Sequence, residues 1–220
     1  MTGYKQLKDL TNRVVLITGA SSGLGEQVAY QVAKQGAIVV GCARRKDKLE
    51  KVMAVCRAIS GRLAYAYQLD VSHPHQIEKV IDEVEANVGP IDVLINDAGF
   101  GFMRQALDFR MDIAERMFRV NVLGLMYVTK YTALYMAKRK RGMIINVASI
   151  GGKIATPKSS IYSATKAAVI AYSNALRLEL KPLGIAVLTV NPGPIRTAFF
   201  EIADETGEYI DRVKKMSLNP

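Results

Sequence analysis

TGASSGLG (Thr18–Gly25) joins an apolar stretch, Val14–Ile17, to an amphipathic stretch that follows it. Three glycines allow the backbone of such a turn to approach a ligand closely. A helix that starts here would present free N–H groups and a partial positive charge at its N-terminus, where phosphate groups commonly bind. Glycine and serine also occur in ordinary strand-to-helix turns. The stretch alone therefore leaves two interpretations open, a phosphate-binding loop and a structural turn.

Short apolar stretches alternate with amphipathic ones along the rest of the chain. Strands are predicted near residues 13–18, 37–42, 63–68, 91–96, 143–148 and 185–190. Helices are predicted near residues 24–35, 46–58, 75–88, 112–138 and 160–180. The strands are apolar over nearly their whole length, as expected when both faces of a parallel sheet are covered. The alternation predicts an α/β fold with a doubly wound parallel sheet of the Rossmann type, in one domain over residues 1–220.

Composition limits the possible function classes. Half of the 220 residues are hydrophobic, which is enough for a substantial core. No apolar run approaches the roughly 20 residues of a membrane helix, and the N-terminal segment is too polar for a signal peptide. Cys42 and Cys56 lie outside any CxxC or Cys/His cluster, so reduced thiols and a cytoplasmic location are expected. His73 and His75 have no further ligands near them, and no metal site is predicted.

The net charge of +10 could indicate a nucleic-acid partner. The basic residues are scattered, however, and the run Lys138–Arg141 ends a predicted helix, where cations interact favourably with the helix dipole. Aromatic residues are not interleaved with the basic ones, and no element that reads nucleic acid is recognisable. A small-molecule partner is therefore expected, with neither nucleic acid nor membrane.

Polar and glycine-rich clusters follow every predicted strand at its carboxyl end. In chain order they are Gly19–Gly25, Arg44/Arg45, Asp70/Val71, Asn96–Gly99, Ser149–Gly152 and Asn191–Gly193. Ligands of open parallel sheets bind outside the carboxyl ends of the strands. The sequence therefore predicts one binding cleft along this edge of the sheet.

The residues that follow the second strand predict NADP(H) as the cofactor. NAD sites usually place an acidic side chain about 20 residues after the glycine-rich turn, to bind the ribose 2′-hydroxyl. Residues 36–46 contain no carboxylate, and the strand runs into Arg44 and Arg45. The planar fork of arginine can bind a 2′-phosphate through two hydrogen bonds. The alternative is that both arginines only close a surface loop.

Tyr162 and Lys166 are one turn apart on the predicted helix 160–180, so both side chains project from one face. A nearby ammonium favours phenolate and lowers a tyrosine pKa from its usual value near 10. Tyr162 is therefore a candidate general acid/base. Tyr4 and Lys8 repeat the spacing, but only Tyr162 is preceded by a strand end that carries Ser149.

From about Asn12 to Thr197 the chain resembles the short-chain dehydrogenase/reductase family. The matching motifs come in order: TGASSGLG, Asp70-Val71, NDAG at residues 96–99, Asn121, Ser149, YSATK at residues 162–166, and Pro192-Gly193 with Thr197. The resemblance implies a homodimeric or homotetrameric oxidoreductase that interconverts a carbonyl and an alcohol by hydride transfer. A non-catalytic NADP(H)-binding sensor or scaffold on the same fold is the alternative.

The resemblance also implies residue roles. Tyr162 would exchange a proton with the substrate oxygen, Ser149 would hold that oxygen, and Lys166 would bind the nicotinamide ribose and lower the tyrosine pKa. Asn121 would position a water. The predicted cofactor contacts are Gly19, Ser21, Ser22, Gly23, Leu24, Gly25, Arg44, Arg45, Asp70, Val71, Asn96, Ala98, Gly99, Tyr162, Lys166, Pro192, Gly193, Ile195 and Thr197.

Two features depart from the family pattern. Asp97 stands where the family commonly has a second asparagine, which predicts a changed local hydrogen-bond pattern with cofactor binding retained. The chain ends at Pro220, before the final helix and strand that are usual in the family, so a truncated or unseen C-terminal segment is expected. Residues 196–210 are expected to form a mobile substrate lid. Phe100, Phe102 and Phe199 suggest an apolar substrate, although core or lid packing would explain them equally well.

Overall fold

Six parallel strands form one sheet in the computed structural model, which describes residues 9–195 together with Phe199 and Ala203. The strands are β1 Val14–Thr18, β2 Ile38–Ala43, β3 Ala64–Gln68, β4 Ile91–Asn96, β5 Gly142–Val147 and β6 Ile185–Val190. Their order is β3-β2-β1-β4-β5-β6, so the chain reverses direction across the sheet between β1 and β4. Open α/β sheets bind ligands at this switch point. The predicted Rossmann-type fold is confirmed.

The helices lie within two residues of their predicted positions. They are α1 Gly23–Lys34, α2 Lys46–Ser60, α3 Pro74–Asn87, α4 Met111–Phe118, α5 Leu125–Lys138 and α6 Ser160–Leu180. The single helix predicted over 112–138 is a continuous helical stretch in three parts, because Arg119–Gly124 between α4 and α5 is π-helical. No helix in the described part of the chain is both long and apolar enough to cross a bilayer.

The core consists of two apolar layers, one on each face of the sheet. Val14 and Leu16 of β1 belong to a cluster with α3, α5 and α6, whereas Val15 and Ile17 belong to a cluster with α1 and α2. All four side chains are buried, and each contributes about 1.5–3 kcal/mol relative to an exposed position. Because successive side chains of a strand point to opposite faces of the sheet, β1 packs against apolar residues on both faces. This packing fixes the position of the glycine-rich turn that follows β1.

Strands β5 and β6 differ from the prediction that both faces of the sheet are covered. Residues of β5 alternate between buried and partly exposed positions. Ile144 belongs to the cluster of α3, α5 and α6, whereas Met143 and Ile145 pack only in part against the cluster of α1 and α2. Within the described residues, these strands are thus fully covered on one face only.

Candidate active site

A cavity of about 1600 Å³ lies along the carboxyl edge of the sheet. Pockets for one small ligand usually measure roughly 300–1,000 Å³, so the cavity has room for a dinucleotide and a second molecule. Most of the predicted site residues line it: Gly19, Ser21, Ser22, Gly23, Leu24, Arg44, Arg45, Asp70, Val71, Ala98, Gly99, Ser149, Tyr162, Lys166, Pro192, Gly193 and Ile195. Thr197 and the expected lid, apart from Phe199 and Ala203, lie outside the described residues.

The glycine-rich turn packs directly against the segment that follows β4. Gly19 has a φ of +77°, and a Cβ there would lie 2.9 Å from the backbone of Ala98. A Cβ on Gly25 would lie 2.7 Å from the carbonyl oxygen of Gly19. Both positions therefore exclude any side chain. The first turn of α1 begins here, and N–H groups of a first helical turn, which have no partner within the helix, form a cradle suited to a phosphate.

Two arginines lie beside this cradle at the end of β2. The Arg45 guanidinium donates hydrogen bonds to the hydroxyls of Ser22 at 2.8 Å and Ser21 at 3.3 Å, which ties β2 to the glycine-rich turn. Arg44 is exposed at the cavity and interacts electrostatically with Asp70. Burial raises the pKa of Asp70, but hydrogen bonds from Ser72 and the charge of Arg44 outweigh it, and the pKa is lowered. This end of the cavity is therefore cationic, and the carboxylate of Asp70 already accepts hydrogen bonds from Ser72.

The candidate catalytic groups converge on the loop after β5. A Cβ on Gly151 would lie 3.4 Å from the Ser149 hydroxyl and 3.4 Å from Cε1 of Tyr162, so both side chains approach the same point. The Ser149 oxygen accepts a hydrogen bond from the Gly151 N–H at 3.1 Å, which leaves its own proton for another acceptor. The Lys166 ammonium lies 5.9 Å from the centroid of the Tyr162 ring. A hydroxyl, a phenol and an ammonium thus share one wall of the cavity.

Lys166 is a buried cation, only 7% exposed, whose Nζ donates to the Val147 carbonyl at 3.0 Å. Burial lowers the pKa of Lys166 to about 8, and the charge of Asp97 partly opposes this change. Burial likewise raises the pKa of Asp97 to about 6, opposed by Lys166 and by a hydrogen bond from the Gly25 N–H. Each charge therefore partly offsets the effect of burial on the other.

Asn121 lies in the π-helical segment but does not line the cavity. It is 1% exposed, and its amide is fully used: Oδ1 accepts from the Phe100 N–H at 3.0 Å, and Nδ2 donates to the Phe100 carbonyl at 2.8 Å and to Thr165 at 3.2 Å. The side chain holds the segment after β4 against α6. That Asn121 positions a water stays a prediction, and these contacts show which protein groups its amide binds. π-helical turns are rare and frequently occur at functional sites.

Asn96, predicted from the sequence as a cofactor contact, is 2% exposed. Its side chain is buried away from the cavity, and Nδ2 donates to Thr129 and to Asn146, both at 2.9 Å. Asn146 in turn donates to Ser173 on α6 at 2.9 Å. This network ties β4 and β5 to α5 and α6, and the cofactor contact of Asn96 stays a prediction. Gly25 likewise supports the turn by packing against Gly19 and does not line the cavity.

Aromatic side chains form the wall around Tyr162. The ring centroid of Phe199 lies 5.7 Å from that of Tyr162, and Phe100 and Phe102 belong to an apolar cluster that also contacts Tyr162. The predicted apolar surface near the site is therefore present, and it extends from Tyr162 toward α4.

Comparison with known proteins agrees with the motif order and the geometry. The family profile described as short chain dehydrogenase matches residues 13–207. The chain belongs to the short-chain dehydrogenases. An uncharacterised oxidoreductase of Staphylococcus aureus strain MRSA252 is 35% identical over 86% of this chain and 80% of the relative. A dehydrogenase/reductase SDR family protein 7-like protein of Anopheles gambiae is 37% identical over 90% of this chain and 64% of that protein.

Solved short-chain dehydrogenases share the fold and carry either cofactor. NAD⁺-bound xylitol dehydrogenase superposes with a TM-score of 0.83 at 31% identity, covering 86% of this chain and 72% of that one. Actinorhodin polyketide ketoreductase with NADPH gives a TM-score of 0.84 at 32% identity, covering 93% of this chain and 82% of that one. The fold of this dehydrogenase therefore does not by itself distinguish NAD from NADP.

Several residues of this short-chain dehydrogenase were not singled out from the sequence. Lys48 adds a third cation near Arg44 and Arg45, one turn into α2. Asp97 was recognised as a departure, but its contact with Gly25 and its effect on Lys166 depend on the packing of three distant segments. Arg116 and Arg119 line the cavity from the helical stretch after β4. Their spacing of three residues on a predicted helix was the available signal.

Proposed function

We propose that this short-chain dehydrogenase is an NADPH-dependent oxidoreductase that interconverts a carbonyl group and an alcohol, with Tyr162 as general acid/base. The observation that carries the proposal is the convergence of Tyr162, Ser149 and Lys166 on one wall of the cavity. A phosphate cradle lies along the same cavity, at the glycine-rich turn. The arrangement supports a reaction between a dinucleotide and a second, smaller molecule.

The cofactor preference rests on the cationic end of the cavity. The close packing of the turn at Gly19 and the open first turn of α1 fit a dinucleotide, and Arg44, Arg45 and Lys48 fit a 2′-phosphate. Asp70 is engaged by Ser72, with its carboxylate accepting at 2.9 Å from the backbone and 2.7 Å from the hydroxyl. These residues favour NADP(H), and tighter binding of NADPH than NADH is the expected result in a direct titration.

The nicotinamide supplies or accepts the hydride when it is bound; the protein supplies proton transfer and orientation. In reduction the Tyr162 phenol donates its proton to the carbonyl oxygen, and in oxidation the phenolate removes it from the alcohol. The Ser149 hydroxyl donates a hydrogen bond to the same oxygen. The Lys166 ammonium favours the phenolate form of Tyr162 because opposite charges attract. The Val147 carbonyl and the surrounding burial hold that ammonium in place.

Replacement of Tyr162 by phenylalanine tests the proposal. Tyr162→Phe should abolish NADPH oxidation with a panel of aldehydes, ketones, quinones and 3-oxoacyl thioesters, while NADPH affinity changes little. Tyr127→Phe is the matched control, because that phenol stacks on Tyr131 of α5 outside the cavity. Turnover that survives in Tyr162→Phe would contradict the catalytic role. NADPH binding without turnover of any carbonyl by the unmodified protein would favour a sensor or scaffold.

We further infer assembly into a homodimer or homotetramer through the helices that carry Asn121 and Tyr162. Exposed apolar side chains on these helices support this: Phe118, Leu123, Leu134 and Leu178 are 38%, 41%, 53% and 72% exposed. A larger apolar surface of this kind favours association. Light scattering coupled to gel filtration should give the mass of two or four chains, and a monomer at high concentration would contradict the inference.

A further inference from the structure

Arg116 and Arg119 are two cationic residues of the helical stretch that follows β4. They are three residues apart on the helical stretch of α4 and the π-helical turn, so they share a face, and both line the cavity. The guanidinium carbon of Arg116 lies 6.0 Å from the centroid of the Phe100 ring. Since Phe100 packs in the same apolar cluster as Tyr162, a cation lies immediately beyond the aromatic wall of the candidate reaction centre.

Carboxylates do not balance these charges in the described part of the chain. Asp70 and Asp97 are the acidic residues among the described cavity residues, and their partners are Ser72 in one case and Gly25 with Lys166 in the other. Asp112, on the same helix as Arg116, pairs with Arg110 at 2.7 Å. Within residues 9–195, neither Arg116 nor Arg119 forms an ion pair. A cleft lined by one sign of charge attracts ligands of the opposite sign.

The chemistry of the two groups defines the ligand that fits them. Guanidinium forks bind carboxylate and phosphate oxygens through paired hydrogen bonds. Arg116 lies over the ring of Phe100, which packs in one cluster with Phe102 and Tyr162, and this apolar surface suits a hydrocarbon body. Such a wall would bind a molecule that is apolar in the middle, reactive at one end and anionic at the other.

We propose that the substrate is a carbonyl compound with an apolar body and a terminal oxyanion, a carboxylate or a phosphate, that is bound by Arg116 and Arg119. The inference rests on the proposed reductase function and names the substrate class for the same cavity. It distinguishes this protein from a reductase of neutral ketones or aldehydes, for which two unpaired arginines beside the aromatic wall would have no use.

The test compares anionic substrates with neutral analogues that carry the same reactive carbonyl group. A homologous series of ω-oxo carboxylates is compared with the methyl esters, and a 3-oxoacyl coenzyme A thioester with the N-acetylcysteamine thioester. The unmodified protein should prefer the anionic member of at least one pair in kcat/KM by about tenfold, the worth of one charge-assisted hydrogen bond. The pair that shows the preference distinguishes carboxylate from phosphate, and the chain length that reacts best reports the span to the arginines.

Variants connect the preference to the two residues. Arg116→Gln combined with Arg119→Gln should abolish the anion preference, mainly through a higher KM for the anionic member. Arg62→Gln removes the same charge from an exposed turn before β3, at the opposite edge of the sheet, and should leave the preference intact. If the double variant instead weakens NADPH binding and keeps the preference, the arginines serve the cofactor and the inference is wrong.

A binding measurement separates this inference from the proposed function. Calorimetry on the Tyr162→Phe protein, with NADPH in excess, should show that a saturated fatty acid binds with higher affinity than its methyl ester. The double arginine replacement, added to this variant, should remove the difference in affinity. Equal binding of acid and ester would overturn the inference even if the unmodified protein reduces carbonyls. If the Tyr162→Phe protein prefers the acid but the unmodified protein reduces no carbonyl compound, the anion site is supported and the proposed reductase activity is overturned.

Discussion

Replacement of Asp97 by asparagine changes one charge at the point where the glycine-rich turn, the segment after β4 and Lys166 meet. The amide oxygen of asparagine can still accept the Gly25 N–H, so the shape of the site is preserved. Burial disfavours the charged form of Asp97 and raises the pKa of its carboxyl from 3.8 to about 6. We expect the Asp97→Asn protein, without cofactor, to be more stable than the unmodified protein at neutral pH.

The sign and size follow from the linkage between protonation and folding. A carboxyl with a higher pKa in the folded than in the unfolded state binds its proton more tightly when folded. The free energy of unfolding of the unmodified protein therefore falls as the pH rises from about 4 to about 6. The difference in pKa corresponds to about 3 kcal/mol, at about 1.4 kcal/mol per pH unit. That pKa already includes the attraction to Lys166, so the expected net gain for Asp97→Asn is on the order of 3 kcal/mol.

Urea unfolding of both proteins at several pH values measures the effect. The stability difference should be small near pH 4, where Asp97 is protonated in the folded protein, and should reach its full size above about pH 6. Asp70→Asn is the control of opposite sign. The pKa of Asp70 is lowered, so its carboxylate stabilises the fold above the unfolded pKa, and that stability is lost as the pH falls. A difference for Asp97→Asn that is independent of pH, or a less stable variant near pH 8, would refute the reasoning.

Three further changes test other parts of the site. Arg44→Asp should weaken NADPH binding at least about tenfold in a fluorescence titration and should affect NADH binding much less. Equal affinities of the unmodified protein for NADPH and NADH would contradict the proposed preference for NADPH. Gly25→Ala should reduce NADPH affinity and Tm together, because the new Cβ would lie 2.7 Å from the Gly19 oxygen. Asn146→Ala should cost about 1–3 kcal/mol in urea unfolding, since it removes the partner of Asn96 and Ser173, and an unchanged midpoint would count against the network.

The order of helices and strands could be predicted because two periods dominate this sequence. The strands are short and apolar, the helices carry an apolar stripe, and the strand ends place the polar clusters on one edge. Side-chain direction at those ends was harder to infer. On β4, Leu94 faces the cluster of α3, α5 and α6, whereas Val93 and Ile95 face the cluster of α1 and α2. Extending this alternation places Asn96 on the side of α5, where it meets Thr129, so this direction of the Asn96 side chain was available from the sequence.

The π-helical turn had no comparable signal. Apolar residues continue at helical spacing through residues 112–138. What distinguishes Arg119–Gly124 is a tertiary contact, the pair of hydrogen bonds between the Asn121 amide and the backbone of Phe100. Phe100 belongs to another loop, and the sequence contains no local trace of that contact. The same reason hides the effect of Asp97 on Lys166, which are 69 positions apart in the numbering but interact electrostatically.

The interaction of Asp97 with Lys166 makes stability and activity oppose each other at this site. Burial holds the pKa of Lys166 near 8, and the nearby carboxylate is the charge that opposes a further fall. Without that carboxylate, the ammonium would lose its proton at lower pH, and a neutral amine does not favour the phenolate of Tyr162. Asp97→Asn should therefore gain stability and, in the oxidation direction, require a higher pH for the same turnover. An activity profile that does not move while stability rises would mean that Tyr162 does not depend on the charge of Lys166.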